Sequence, residues 1–207
     1  MRKPRDRDRS GAGIDRRRLL GACCLLALGR PQPLAAQTTE GASAPPQTGD
    51  LLAFAYGARA GEPIAPADVA EGAAQLLAFP FDPAAGRMRD GTRLNQLVVV
   101  RIDPTTATAE TLERAADGIV AYSGVCTHTG CDVTDWRAEQ RRFKCPCHES
   151  EFDPADAARV VGGPAPAPLA ALPLTLVDGK LAVAGPFVGR VGFQQPGPDA
   201  FGAGPFG

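Results

Sequence analysis

Two short motifs rich in cysteine and histidine constrain this chain more than any other feature. The first reads "CTHTGC" over residues 126–131, and the second reads "CPCHES" over residues 145–150. Together they hold four of the six cysteines and both histidines of the 207-residue chain. Each motif can offer one thiolate and one imidazole, so two neighbouring loops of this kind would converge on one metal site.

The residues alone leave two other interpretations open. A zinc site with two cysteines and two histidines uses the same ligand types in tetrahedral geometry. It would leave Cys131 and Cys147 without a role. A chain with two disulfides and no metal would place His128 and His148 beside cysteines by coincidence.

A third stretch, "GGPAPAPL" over residues 162–169, adds to the two motifs. The three together resemble the Rieske iron–sulfur family in its high-potential, disulfide-containing form. Iron–sulfur subunits of quinol–cytochrome c reductases and small subunits of arsenite oxidases belong to that group. The resemblance extends over roughly residues 94–187, and residues 51–93 carry no matching motif. It implies one [2Fe-2S] cluster per subunit.

The resemblance also implies a role for each motif residue. The implied iron ligands are Cys126 and Cys145 for one iron, and His128 and His148 for the other. The implied disulfide joins Cys131 and Cys147, and the implied covering loop is Gly163, Pro164, Ala165 and Pro166. Ser150 matches the serine whose hydroxyl donates to a bridging sulfide.

Three residues are expected to tune the reduction potential. Two thiolates and two sulfides balance two ferric ions, so a neutral cluster gains the electron and its potential lies roughly between −150 and +300 mV. The Ser150 hydroxyl should raise the potential further. Phe152 stands where respiratory members usually have Tyr, and Glu149 stands where Gly is common. Both replacements should stabilise the oxidised state, which predicts an intermediate potential.

Residues 1–36 are predicted to be a twin-arginine signal segment. Arg16 and Arg17 precede the apolar run 19–29, which as a helix is about 16 Å long, too short for a bilayer core of about 30 Å. An uncleaved anchor and a lipoprotein box ending at Cys23 are the alternatives. Transport of a folded protein suits a cluster assembled in the cytoplasm, so we expect a periplasmic protein, with association to the inner membrane left open.

The rest of the chain is predicted to be all-β. Short apolar runs such as 94–102 indicate strands, Asp178-Gly179 indicates a hairpin turn, and 111–118 has the ends of a short helix. The resemblance implies an antiparallel β-sandwich or barrel base with a small cluster-binding subdomain of two loops. The predicted divisions are a linker at 37–50, the Rieske domain at 51–193 with its cluster-binding part at about 121–168, and a flexible tail at 194–207.

Charge and histidine count exclude several functions. Residues 1–36 hold nine of the 22 Lys and Arg but only three of the 23 Asp and Glu, so the remainder has a net charge of −7. Such an acidic domain is not a nucleic-acid binder and suits a basic protein partner. A Rieske oxygenase needs further histidines for a mononuclear iron, and this chain has none to spare.

The sequence therefore predicts an electron-transfer protein without a catalytic acid, base or nucleophile of its own. The first hypothesis is the iron–sulfur subunit of a quinol–cytochrome c oxidoreductase, with a cytochrome b-type donor and a c-type cytochrome acceptor. The alternative is the small subunit of a periplasmic molybdopterin enzyme of the arsenite-oxidase type, or a soluble partner of a periplasmic dehydrogenase. The basic residues Arg137, Arg141, Arg142 and Lys144 are interpreted as a solvated face, with docking of a partner as the alternative.

Overall fold

The structure, a computed structural model, describes residues 41–193. These residues are nearly all-β, which confirms the predicted fold class. The strands are β1 Leu51–Phe54, β2 Leu76–Asp82, β3 Arg87–Met88, β4 Leu97–Arg101, β5 Ile119–Ser123, β6 Asp135–Arg137, β7 Arg142–Lys144, β8 Glu151–Asp153, β9 Arg159–Gly162, β10 Ala171–Leu172, β11 Leu174–Val177 and β12 Lys180–Val183. The helices are α1 Ala109–Leu112 and short 3-10 turns at Pro66–Asp68 and Arg93–Asn95. The predicted signal segment and tail lie outside the described residues.

Eight strands form a curved antiparallel sheet, the base of the domain. Its order is β10-β5-β4-β2-β1-β12-β11, with β3 paired to β2. Strands β11 and β5, near the two ends of this order, pack against each other, so the sheet curls towards closure as a barrel. None of the helices within residues 41–193 is long and apolar enough to cross a membrane.

Strand β4 is apolar at four consecutive positions, and the structure explains why. Leu97 and Val99 point into one hydrophobic core, whereas Val98 and Val100 point into the other. Since successive side chains of a strand face opposite sides, a strand with a core on each side is apolar at every position. The second of these cores also contains the buried cysteines of both motifs.

The turn and helix predictions have different outcomes. The hairpin is confirmed, because β11 and β12 pair antiparallel and both turn residues have positive φ, 49° at Asp178 and 72° at Gly179. The helix at 111–118 is wrong in its bounds. Thr108 caps the first turn by accepting from the Thr111 amide, and the helix ends at Leu112.

A second sheet, β6-β7-β8-β9, explains how the two motifs become neighbours. The hairpin of β6 and β7 occupies most of the gap between the motifs, and β8 follows the second motif at once. Phe143 on β7 lies opposite Phe152 on β8, and both are fully buried. Phe143 also meets the Tyr122 ring edge-on, with 6.0 Å between centroids. This aromatic packing fixes the small sheet against the base.

Candidate metal centre

Both motifs fold into the same backbone turn. In the first, the Cys126 amide donates to the Cys131 carbonyl at 2.8 Å and the Gly130 amide donates to the Cys126 carbonyl at 3.0 Å. In the second, Cys145 donates to Ser150 at 2.8 Å and Glu149 donates to Cys145 at 3.1 Å. The two loops, 126–131 and 145–150, therefore have the same backbone hydrogen-bonding pattern, and they present their side chains from equivalent backbone positions.

The structure brings the four predicted ligands together with a clear polarity. Cys126 and Cys145 are free thiols, each about 1% exposed, within the hydrophobic core. His128 is half-buried and His148 is exposed, and their ring centroids lie 4.6 Å apart. Sulfur therefore lies on the inner side of the site and nitrogen lies on the side facing solvent.

Burial shapes the chemistry of the inner side. It raises the pKa of the Cys126 thiol, and this effect outweighs the stabilising contacts from the His128 amide and the Ser150 hydroxyl. The neighbouring Cys145 thiol raises it further. A thiol in this environment becomes a thiolate when a cation compensates the charge, which is what a bound metal does.

The donor set fits a bound metal centre. Nδ1 of His128 is buried without a hydrogen-bond partner among the described residues, as expected of a lone pair kept for a metal. Within residues 41–193, the only group of three or more metal-binding side chains whose donor atoms lie within 4.8 Å of one another is Cys131, Cys145 and Cys147. Two of these are joined in a disulfide and have no thiolate to offer.

The expected disulfide is present. Cys131 and Cys147 are bonded to each other, with Cα atoms 6.5 Å apart and sixteen residues of separation along the chain. Cys131 ends the first loop and Cys147 lies inside the second. The bond therefore joins the two loops directly, so that neither can move without the other.

The predicted covering loop, Gly163 to Pro166, contacts the second loop, and the next residue, Ala167, contacts the first; residues 163–167 are called the covering segment below. The Ala165 amide donates to the Ser150 hydroxyl oxygen at 3.1 Å, in a buried position. The Thr127 hydroxyl donates to the Ala167 carbonyl at 2.6 Å. Because the Ser150 oxygen accepts from Ala165, its own hydrogen is left to donate towards sulfur.

The negative charge of Glu149 is compensated by neighbouring basic side chains. Its carboxylate lies 2.5 Å from Lys144 Nζ and 3.8 Å from Arg137, and the contact with Lys144 holds the pKa of Glu149 below its ordinary value. Glu151 pairs with Arg137 at 3.1 Å and with Arg142 at 3.5 Å. Three of the four basic residues interpreted as a solvated face are therefore paired with acidic neighbours.

Two contacts that brace the first loop were missed by the sequence analysis. The Arg93 guanidinium donates to the Gly130 carbonyl and, at 2.7 Å, to Asp132. Phe193 packs against Gly130, where an added Cβ would lie 2.9 Å from its ring. Both partners lie more than 35 residues away along the chain, and no local pattern signals them.

Comparison with known proteins identifies the family. The Rieske [2Fe-2S] domain model matches residues 82–173. A cytochrome bc1 complex Rieske iron–sulfur subunit of Streptomyces lividans is 38% identical over 138 residues, which cover 63% of this chain and 79% of that protein. The chain belongs to the Rieske [2Fe-2S] family. Its cofactor is accordingly a [2Fe-2S] cluster, and its general role is electron transfer.

Other Rieske proteins are also similar to this chain. A cytochrome bc1 complex Rieske subunit of Streptomyces coelicolor is 38% identical, covering 63% of this chain and 38% of that protein. A putative respiratory nitrate reductase Rieske subunit of Haloferax mediterranei is 39% identical, covering 60% and 53%. The chain thus spans about half or less of these two relatives. The solved plasma membrane Rieske protein of Synechocystis PCC 6803 is 25% identical over 54% of this chain and 87% of that one, with a TM-score of 0.35.

Proposed function

We propose that this Rieske protein binds its cluster through the buried thiols of Cys126 and Cys145 and the imidazoles of His128 and His148, and passes single electrons through the imidazole side. The observation that carries the proposal is the polarity of the site, with sulfur in the core and nitrogen at the surface. When bound, the cluster supplies a one-electron carrier.

The remaining residues would hold and shield this site. The disulfide keeps the two loops at a fixed separation, and Arg93 and Phe193 brace the first loop from the base. The covering segment lies against the buried Ser150, whose hydroxyl accepts from the Ala165 amide. The exposed His148 edge then offers the shortest path to a partner.

We assign the protein to the iron–sulfur subunit of a quinol–cytochrome c oxidoreductase. This proposal is supported by the Streptomyces relatives above, which are described as cytochrome bc1 complex Rieske iron–sulfur subunits. Quinol bound at a cytochrome b-type subunit would be the donor and a c-type cytochrome the acceptor. The acidic charge after residue 36 suits a basic cytochrome. The twin-arginine signal would place this exchange in the periplasm, with the N-terminal segment or a partner holding the protein at the inner membrane.

A molybdopterin enzyme is the second candidate. The Haloferax relative, described as a nitrate reductase subunit, is as similar as the Streptomyces ones. Position 152 is a fully buried phenylalanine. It has no hydroxyl group that could donate to a ligand sulfur and raise the reduction potential. An intermediate potential would suit either candidate.

Co-purification distinguishes the two candidates. A tagged full-length chain, extracted from native membranes with mild detergent, should bring down a subunit with b-type haem and oxidise a quinol with reduction of cytochrome c. Recovery of a molybdopterin subunit without haem b would contradict the first candidate and support the second.

Spectroscopy tests the ligand assignment separately. The reduced protein should give the electron paramagnetic resonance signal of a histidine-ligated [2Fe-2S] cluster, with two irons and two sulfides per chain. Replacement of His148 by Ala should abolish this signal, whereas replacement of the exposed Arg141 by Ala should leave it unchanged. A zinc-containing or metal-free wild-type protein would contradict the assignment.

A further inference from the structure

A cavity of about 500 Å³ lies beside the covering segment and is separate from the four metal ligands. Its lining includes the run Pro166 to Leu169, Glu110 on α1 with Arg114 just after it, and Val188, Gly189, Arg190 and Gly192. Thr127, whose hydroxyl bonds Ala167, also contacts the cavity. This volume is in the range of pockets that hold small organic ligands.

The cavity walls are apolar, but its rim is cationic. Arg114 pairs with Glu110 at 3.0 Å, and Arg159 pairs with Glu110 and with Asp156, both at 3.1 Å. The carboxylates of Glu110 and Asp156 thus compensate the charges of Arg114 and Arg159. Arg190, the third arginine at the rim, makes no ion pair within residues 41–193. An unpaired guanidinium beside an apolar wall favours a ligand that has both a negative charge and a hydrocarbon body.

We propose that this cavity binds a small amphipathic carboxylate, with its apolar body against Pro168, Leu169 and Val188 and its carboxylate on Arg190. The rest of the chain after residue 36 is acidic, with a net charge of −7, and repels anions in general. Arg190 differs from other unpaired basic residues within residues 41–193, such as Arg141, because it lies beside an apolar cavity that can hold the hydrocarbon body of the ligand. The proposal is independent of the partner complex assigned above.

Titration calorimetry on the full-length, cluster-containing protein tests the proposal with decanoate as the probe, below its micelle concentration. We expect saturable binding of one decanoate per chain. Decanol, which has the same hydrocarbon body without the charge, should bind about tenfold more weakly. Arg190→Ala should weaken decanoate binding by a similar factor, whereas Arg141→Ala, remote from the cavity lining, should have no effect.

A second variant guards against effects on folding. Val188 is a half-exposed wall residue whose backbone pairs with Ala171, so Val188→Trp fills the cavity without breaking that pairing. It should abolish binding while the cluster signal persists. Absence of saturable binding, or equal affinity for decanoate and decanol, would overturn the proposal. Binding that emerges only when Phe201 and Phe206 are replaced by Ser would also overturn it, and would assign the cavity to the chain's own last residues.

Discussion

At the scale of single residues, the fifth position of each loop decides how the motif closes. Gly130 and Glu149 occupy this position with φ of 80° and 61°, in the left-handed region that favours glycine. Glu149 accepts the strained backbone, and its side chain pairs with Lys144 and Arg137. The negative charge beside His148 is therefore partly compensated by Lys144, which directly precedes the second loop, and by Arg137 on β6.

Neutralising Glu149 and neutralising Lys144 should shift the reduction potential of the cluster in opposite directions. Glu149→Gln leaves the Lys144 charge unopposed and should raise the potential, because the reduced site carries the extra negative charge. Lys144→Met leaves Glu149 unopposed and should lower it. Redox titration monitored by circular dichroism measures both. Shifts of the same sign in the two variants would contradict this interpretation.

Ser150 should contribute more, since it is fully buried. Ser150→Ala removes a hydroxyl that donates towards the Cys126 sulfur and should lower the potential by about 40 to 80 mV, the equivalent of about 1 to 2 kcal/mol for one electron. Ser123→Ala removes another fully buried hydroxyl, which accepts from the Val125 amide, and serves as the control. An unchanged potential in the Ser150 variant with an intact cluster would exclude this role.

At the scale of elements, the backbone of the covering segment packs directly against the backbone of the second loop at Gly163. A Cβ on Gly163 would lie 2.5 Å from Ser150 Cα and 2.7 Å from the Glu149 carbonyl, and φ at this residue is 76°. No other residue type allows the two backbones to approach this closely. The close approach is what places the Ala165 amide on Ser150.

Gly163→Ala should therefore destabilise the protein by about 3 kcal/mol or more, through backbone strain and steric overlap together. Gly179→Ala is the matched control, because its φ of 72° imposes similar strain while an added Cβ would meet nothing within 4 Å. It should cost only about 1 kcal/mol. Chemical denaturation of the oxidised proteins measures both, and equal losses would show that the contact with Ser150 does not matter.

At the scale of the whole molecule, a buried ion pair joins residues 41–50 to the barrel. Arg89 donates to both carboxylate oxygens of Asp50, at 2.6 and 2.9 Å, and to Asp82 at 3.1 Å. Asn95 donates to the Ala44 carbonyl at 2.7 Å. The described part of the segment predicted as a linker is thus held against the domain, and its orientation is coupled to the sheet.

Removal of the Asp50 charge should be costly, because the buried Arg89 then keeps only Asp82, at 3.1 Å, as an acidic partner. Asp50→Asn is expected to lower the free energy of unfolding by about 3 kcal/mol or more. Glu62→Gln, which removes a partner of Arg59 at an exposed site, should change it little. Urea denaturation measures the difference, and similar losses in the two variants would contradict the importance of burial.

Much of the site was predictable because its chemistry is local. The two motifs contain the four proposed ligands, the disulfide cysteines and Ser150 within six residues each, and the resemblance to the Rieske family rests on them. The strands of the last hairpin follow from the alternation of their side chains, and the Asp178-Gly179 turn follows from the backbone preference of its two residues. The helix bounds were wrong because a cap at Thr108 competes with the pattern that follows it.

The sequence by itself determined the residue types that can bind a cluster, the β character of the chain and the acidic charge of its domain. Only the tertiary structure decided which groups surround that site. Arg93, Phe193, Arg137 and Ala167 reach the loops from separate elements, and the arginine-rimmed cavity is assembled from five segments of the chain. The reason is physical: ligand identity depends on local chemistry, whereas burial, charge compensation and cavities depend on which distant surfaces the packed sheets bring into contact.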